Sequence, residues 1–298
     1  MQFKNLSQIL EHAAKQPTIK MVVAAAADKH VLTALKQAFN MNLAEPLLIG
    51  DEPLIRSISS SIGFNIEDLT IIHEPDPVKT CALAVKEIRE GRAGILMKGM
   101  VATAPLLKAV LDKENGLRKR EVLSHFALFE TTFYPKLLGI TDAAMNIAPE
   151  IQEKVAIIEN AAEVFHALGK KKPKIAVLGP VEVINPKISS TSDAAILTQM
   201  YRRNQINSCI IDGPLAIDNA ISPIAARQKN IDSEVAGDAD ILVAPDLNSG
   251  NILYKTMIFL SDAKSAAVIL GAKVPVVLTS RADSEDSKLF SIALAAII

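Results

Sequence analysis

The segments that decide the fold are KIAVLG at residues 174–179 and ILVAP at residues 241–245. Both are short and apolar, and neither alternates apolar with polar residues as a strand with one solvent-exposed face does. Such runs are typical of strands that are buried on both faces in a parallel sheet covered by helices. The two segments therefore predict an α/β fold with mostly parallel sheets.

The rest of the chain repeats this pattern. Apolar runs alternate with segments of helical period, such as residues 29–40, 77–90 and 151–168. Alternation of this kind predicts βαβ units. At about 150 residues per domain, the length of 298 residues corresponds to two domains or to one large α/β unit.

The composition excludes several classes of protein. Lys and Arg total 32 against 33 Asp and Glu, a balance that argues against a nucleic-acid-binding protein. Cys81 and Cys209 show neither disulfide nor zinc spacing. The mean hydropathy of +0.25 does not indicate a membrane protein, because the apolar run at 289–298 is about half of a membrane span. The N-terminus carries no signal-peptide pattern, so we expect a soluble, cytoplasmic protein.

Polar residues follow the predicted strands where an open α/β sheet binds its ligands, at the carboxyl ends. The glycines allow a close backbone approach to a ligand, the hydroxyls offer hydrogen bonds, and Lys98 and Arg281 supply positive charge. The set therefore indicates a site for phosphate or another oxyanion. The residues are Lys98, Gly99 and Thr103, Ser189–Ser192, Asp212 and Gly213, Asp246, Ser249, Gly250 and Asn251, and Thr279, Ser280 and Arg281.

Each of these residues also has a purely structural interpretation. A Ser or Thr alone is commonly a helix cap, and Arg281 alone suits a surface ion pair with Asp283 or Asp286. His125, inside a strand-like run, reads as a core histidine with its hydrogen bonds satisfied. Only the convergence of several strand ends favours the functional interpretation.

Motifs for nucleotides and hydrolases are absent. The chain has no GxGxxG, no GxxxxGK[ST] and no GxSxG. Asp238 and Asp240, in the sequence GDAD, resemble a metal pair, but a cap and a strand-end acid explain them better. We therefore expect neither a metal nor a cofactor.

Four segments together carry a family resemblance. They read DGPLAIDN at 212–219, SEVAGDAD at 233–240, PDLNSGNILYK at 245–255 and GAKVPVVLTSRAD at 271–283. In this order and spacing the chain resembles the phosphate acetyl/butyryltransferase family. The residues after Ser280-Arg281 are more similar to the butyryl branch than to the acetyl branch.

The resemblance implies a fold. The family is similar to isocitrate and isopropylmalate dehydrogenases, which have two α/β domains with mostly parallel sheets and an interdomain cleft. By this analogy residues 1–145 plus 270–298 form domain one, and residues 146–269 form domain two.

The resemblance also implies an activity. The family exchanges the CoA of an acyl-CoA for inorganic phosphate, which gives acyl phosphate and CoA by direct transfer in a ternary complex. Arg281 matches the family's arginine and Ser280 its neighbouring serine. The acetyl branch uses an aspartate as base where this chain has Ser287, so Asp286 and Asp283 are equal candidates for that role.

Substrate binding is implied for a larger set of residues. Tyr254 and Lys255 either contact substrate phosphates or tie a helix to its neighbour, and the family is often homo-oligomeric. The substrates are CoA compounds and phosphate; butyryl, isobutyryl, isovaleryl and acetyl groups all remain open. The expected binding residues are Lys98, Gly99, Thr103, Ser190, Ser192, Asp212, Gly213, Asp246, Gly250, Asn251, Tyr254 and Lys255.

Two other functions stay open at this point. One is a dehydrogenase of the same fold that uses NAD and a divalent metal, and reduction of NAD by 2-hydroxy acids with magnesium would reveal it. The other is a non-catalytic sensor, which would bind CoA without turnover.

Overall fold

The computed structural model describes residues 3–278 and 284–298. The strands are β1 Ile19–Ala24, β2 Ala44–Gly50, β3 Ile71–His73, β4 Ile95–Lys98, β5 Ser124–Glu130, β6 Leu138–Thr141, β7 Lys174–Leu178, β8 Ile210–Leu215, β9 Ile241–Val243, β10 Lys264–Leu270 and β11 Val276–Val277. The helices are α1 Leu6–Ala13, α2 Lys29–Asn40, α3 Glu52–Ser61, α4 Pro77–Arg89, α5 Thr103–Val110, α6 Ile151–Ala167, α7 Ser189–Arg202, α8 Ile217–Ile221, α9 Pro223–Gln228, α10 Leu247–Leu260 and α11 Glu285–Ile297.

The chain divides into two compact units. The split unit comprises residues 7–121 and 266–298, and the central unit comprises residues 122–265 with the N-terminal residues up to 6. The sequence placed the two crossings near residues 145 and 270. The first crossing lies earlier in the structure because the β5–β6 hairpin joins the sheet of the central unit through β9.

The split unit contains a mostly parallel sheet in the order β3-β2-β1-β4-β11-β10. Neighbouring strands are parallel except for the antiparallel pair β10 and β11. Residues 21–24 of β1 are completely buried, as expected for a strand with two covered faces. Their apolar side chains therefore form part of the core of this unit.

The central unit contains a second mostly parallel arrangement in the order β5-β6-β9-β7-β8. Here β5 and β6 are antiparallel, whereas β6, β9, β7 and β8 run parallel to their neighbours. The predicted α/β class with a mostly parallel sheet is confirmed. The two segments that predicted it form β7 and β9, side by side at the centre of this arrangement.

Two predicted loops belong to regular elements. Asp212, Gly213 and Pro214 lie inside β8, and residues 248–251 lie in the first turns of α10. Asp246 explains why residues 248–251 are helical, because its side chain accepts a hydrogen bond from the Ser249 backbone N–H at 2.9 Å. A cap of this kind starts a helix even where Ser and Gly suggest a loop.

In the described ranges, no helix combines the length and the apolar character needed to cross a membrane.

Candidate active site

The end of β4 buries a positive charge in the split unit. Lys98 is only 7% exposed, and its ammonium donates hydrogen bonds to the carbonyl oxygens of Gly99 at 3.1 Å and Val101 at 3.2 Å. Thr103 begins α5 one turn further on and is half-buried. These three predicted residues therefore lie within one short stretch at the carboxyl end of a parallel strand.

Neither cysteine is suited to act as a nucleophile. Burial raises the pKa of the Cys81 thiol, and the nearby Lys98 charge opposes this only in part. Burial raises the pKa of Cys209 to about 11. Since the thiolate is the reactive form of cysteine, both side chains stay protonated and unreactive near neutral pH.

The three predicted glycines are packed against backbone of this chain. A Cβ on Gly99 would lie 2.1 Å from the carbonyl oxygen of Ala25, and one on Gly250 would lie 2.2 Å from that of Asp142. At Gly213 the nearest atom would be the Val177 carbonyl oxygen at 2.8 Å. The sequence assigned these glycines to close contact with a ligand. The structure shows a packing reason for these glycines, because the missing side chains make room for neighbouring backbone, and contact with a ligand stays a prediction.

The first turn of α10 is fastened to the segment that follows β6. The Asn251 side-chain amide donates to the Ala143 carbonyl oxygen at 3.0 Å, and Gly250 lies against the backbone of Asp142. Asp246 caps the same helix. Asp246, Gly250 and Asn251 are therefore held together at the carboxyl ends of β6 and β9, and their role in ligand binding stays a prediction.

Asp142 organises that segment. Its carboxylate accepts backbone hydrogen bonds from Ala144 at 2.9 Å, Met145 at 3.0 Å and Asn146 at 3.1 Å. We did not assign Asp142 from the sequence. The signal was present in TDAAMN, where an Asp with a following Asn suits a tight turn.

Tyr254 ties α10 to β5. Its ring meets the His125 ring edge-on, with centroids 5.4 Å apart, and the Phe129 ring at 5.7 Å. Lys255, the next residue, is exposed. Of the two roles that the sequence left open for Tyr254, these ring contacts support the tie between helix and strand.

His125 is a second residue that the sequence interpretation missed. The side chain is buried with 4% exposed, and within the described residues its Nδ1 has no hydrogen-bond partner. Burial lowers the pKa of the imidazole against the opposing charge of Asp142, which keeps the ring neutral. An unpaired buried polar group costs about 1–3 kcal/mol. The expected core position of His125 is therefore confirmed, whereas the expected satisfaction of its hydrogen bonds was wrong.

The hydroxyl cluster and Asp212 are placed elsewhere in the central unit. Ser190 and Ser192 lie in the first turn of α7, while Thr191 between them bonds the carbonyl oxygens of Asn185 and Ile188. Asp212 is half-buried within β8. It lines a groove of about 220 Å³ together with Tyr201, Arg202, Ile210, Ile211, Asp232, Ser233, Glu234 and Val235.

Three of the four predicted catalytic residues, Ser280, Arg281 and Asp283, lie outside the described residues. The fourth, Asp286, is exposed in the first turn of α11. Ser284 caps this helix by accepting a hydrogen bond from the Ser287 backbone N–H at 3.0 Å.

The acids of the GDAD segment bind lysines. The Asp240 carboxylate lies 2.7 Å from the Lys136 ammonium and 2.5 Å from that of Lys170. Lys136 and Lys174 pair with Asp238. In the part of the chain that the structure describes, no three His, Cys, Asp or Glu side chains assemble into a metal-binding group. The two acids thus serve an ion-pair network.

Comparison with known proteins identifies the family. The family model described as phosphate acetyl/butaryl transferase matches residues 76–296. The chain is 44% identical over 295 residues to a phosphate butyryltransferase of Clostridium acetobutylicum, covering 99% of this chain and 98% of that protein. It is 45% identical over 278 residues to a phosphate acetyltransferase of Thermotoga maritima, covering 93% and 94%.

A solved structure agrees with these relatives. The crystal structure of a branched-chain phosphotransacylase from Enterococcus faecalis V583 matches with a TM-score of 0.82 and 35% identity, over 94% of this chain and 98% of that chain. The α/β fold of this chain is thus shared with a phosphotransacylase. The chain belongs to the phosphate acetyl/butyryltransferase family.

Proposed function

We propose that this protein exchanges the CoA of a short or branched acyl-CoA for inorganic phosphate and so forms acyl phosphate and CoA. The observation that carries the proposal is the 44% identity, over nearly the whole chain, to a phosphate butyryltransferase. The preferred acyl groups are butyryl, isobutyryl and isovaleryl.

The transfer is direct. A phosphate oxygen attacks the thioester carbonyl carbon, the new carbon–oxygen bond forms, the carbon–sulfur bond breaks, and CoA leaves as a thiolate that then takes up a proton. Proximity of the two substrates supplies much of the acceleration. The protonated thiols of Cys81 and Cys209 support a mechanism without a protein nucleophile.

Positive charge assists this step. The developing negative charge on the carbonyl oxygen and the charge of the phosphate both favour nearby cations. Arg281 and Lys98 supply these cations, and Ser280 donates a hydrogen bond to the thioester or the thiol. Asp286 and Asp283 are the candidates for the group that exchanges the CoA proton, and Asp→Asn variants at each position distinguish them by their loss of activity.

We also propose the finer description of the fold, a two-domain arrangement like that of isocitrate and isopropylmalate dehydrogenases, with the substrates in a cleft. Support comes from the family resemblance and from the mostly parallel strands within each unit. No cofactor and no metal take part. The protein acts in the cytoplasm.

The protein is further proposed to form a homo-oligomer through α10. Ile252 and Phe259 are each 67% exposed and Leu260 is 83% exposed, whereas Gly250 alone among the residues of this helix is buried. Exposed apolar patches commonly mark interfaces. Light scattering of the wild type and of Leu260→Lys tests this, and identical monomer masses would refute it.

The activity is tested by thiol release. The measurement is kcat/KM for acetyl-, butyryl-, isobutyryl- and isovaleryl-CoA in the presence of phosphate. We expect the four- and five-carbon substrates to be preferred, although one methylene changes the binding free energy by only about 1–3 kcal/mol. If no acyl-CoA releases free thiol, the proposal is wrong, and CoA binding without release would indicate a sensor.

The second candidate is phosphate acetyltransferase activity. The 45% identity to the Thermotoga maritima enzyme favours it. A higher kcat/KM for acetyl-CoA than for butyryl-CoA in the same series would select this function.

A further inference from the structure

His125 stands where three segments of the central unit meet. It lies one residue before Phe126, which pairs with Thr141 in the antiparallel β5–β6 hairpin, so it is level with Asp142 just beyond β6. Its ring contacts Tyr254 of α10. This is the carboxyl end of β6 and of the parallel β9, the edge at which α/β sheets bind ligands.

Folding stability does not account for an imidazole at this position. The Nδ1 atom is buried and, in the described part of the chain, has no hydrogen-bond partner. An apolar ring of similar size would fill the same space without an unsatisfied polar atom. Buried groups of this kind are rare in native structures and concentrate where function opposes stability.

The imidazole supplies one of the contacts that hold the start of α10. Others are Gly250 against Asp142, the Asn251 amide on Ala143, and the Leu247 backbone N–H, which donates to the Ile147 carbonyl oxygen at 3.0 Å. Gly250 and Tyr254 are four residues apart and therefore share one face of the helix. Asn251 follows Gly250 in the same helix. A shift of the Tyr254 ring against His125 would therefore move the helix and Asn251 with it.

We propose that His125 is a positioning residue for acyl transfer, an inference that rests on the proposed function. Its uncharged imidazole holds the first turn of α10 in the orientation that binds acyl-CoA, and Nδ1 gains its hydrogen-bond partner in the substrate complex. Hydrogen bonds that tighten only in the complex are common in active sites.

The test compares His125→Phe with His125→Asn. The Phe variant keeps a ring against Tyr254 and removes the polar atom, so its melting temperature without ligand should equal or exceed that of the wild type. We expect its kcat/KM for butyryl-CoA to fall at least about tenfold, mainly through a higher KM. The Asn variant restores a polar atom near the position of Nδ1. We expect its kcat/KM for butyryl-CoA to be at least about threefold higher than that of the Phe variant.

Ser59→Ala is the matched control. The Ser59 hydroxyl is also buried and without a partner among the described residues, but it lies in the second half of α3, in the split unit. We expect unchanged kcat/KM and an equal or higher melting temperature. A similar loss of activity in this variant would show that removing any buried hydroxyl or imidazole has the same effect, and would overturn the assignment.

Two results for His125 itself would overturn the proposal. One is a Phe variant with wild-type kcat/KM. The other is a Phe variant whose activity falls together with its melting temperature and is not recovered by Asn, as expected for a structural role.

Failure of the proposed function is recognised separately, because the wild type would then release no thiol. In that case the rise in melting temperature caused by butyryl-CoA is compared between the wild type and His125→Phe. A smaller rise in the variant keeps the positioning role. An equal rise, or no rise in the wild type, removes it.

Discussion

The end of β4 in the split unit and the first turn of α10 in the central unit use the same packing device for different chemistry. Each contains a glycine whose missing Cβ lets a neighbouring carbonyl oxygen approach, Ala25 at Gly99 and Asp142 at Gly250. The β4 end adds a buried ammonium, that of Lys98. The α10 turn adds the Asn251 amide and, through Tyr254, a contact with the His125 ring.

The difference suggests a division of roles within the proposed reaction. A positive charge suits phosphate and a developing oxyanion. Uncharged hydrogen-bonding groups suit the orientation of an acyl-CoA without adding charge. Variants that remove charge and variants that remove a neutral contact should therefore affect different kinetic constants.

The largest effect is expected when the positive charge of Arg281 is removed. The family resemblance makes Arg281 the main cation for phosphate, and we expect Arg281→Ala to lower kcat at least about a hundredfold, as for loss of one oxyanion donor. Initial rates of thiol release measure it. Arg56→Ala is the matched control, since Arg56 is exposed and pairs with Glu52 on the surface of α3. Near-wild-type rates for Arg281→Ala would remove Arg281 from the mechanism.

The shared packing device is tested by Gly99→Ala and Gly250→Ala. In both variants the new methyl group would meet a carbonyl oxygen at about 2 Å, and relief of such a clash costs about 1–3 kcal/mol of unfolding free energy. Denaturant unfolding measures it. At Gly179 the nearest atoms to an added Cβ lie at 3.4 Å, so Gly179→Ala should be nearly neutral. Equal stability of all three variants would contradict the backbone-packing role.

How far the sequence alone predicts the fold differs from element to element. The apolar run at 174–178 and the helical period at 29–40 predict β7 and α2 with their observed bounds. A strand buried on both faces leaves a continuous apolar run, and a helix buried on one face leaves an apolar residue about every three to four positions. The strand β6 was missed because it is four residues long and contains Gly139, whose absent Cβ accommodates the Phe126 ring.

The chemical state of the site was less accessible to sequence interpretation. Lys98 was identified from its place after a strand, and this place is independent of tertiary contacts. The missing hydrogen bond of His125 and the turn built on Asp142 depend on which segments meet in space. A single sequence does not record those neighbours, so the strand-like surroundings of His125 suggested an ordinary core residue.

A smaller effect is expected at Lys98. Lys98→Met keeps the apolar stem and removes the charge, and we expect kcat/KM for phosphate to fall about tenfold, equivalent to about 1.4 kcal/mol. The KM for butyryl-CoA should change little if the charge acts on phosphate. Lys86→Met is the control, because Lys86 is exposed and pairs only loosely with Glu90 at 3.9 Å. An increase confined to the KM for acyl-CoA would reverse the roles assigned to the two regions.

The smallest effect is expected on the neutral side, at Asn251. Asn251→Ala removes one hydrogen bond, that to the Ala143 carbonyl oxygen, which contributes about 1 kcal/mol to the free energy of unfolding. Because Gly250 and Tyr254 still hold the helix, the turn should persist and the KM for butyryl-CoA should rise only about three- to fivefold. Asn115→Ala removes an exposed amide that bonds Arg89 and should change neither quantity. If Asn251→Ala instead lowered kcat for phosphate attack with an unchanged KM, the α10 turn would act on the transition state and not on acyl-CoA binding, and the contrast with the β4 end would fail.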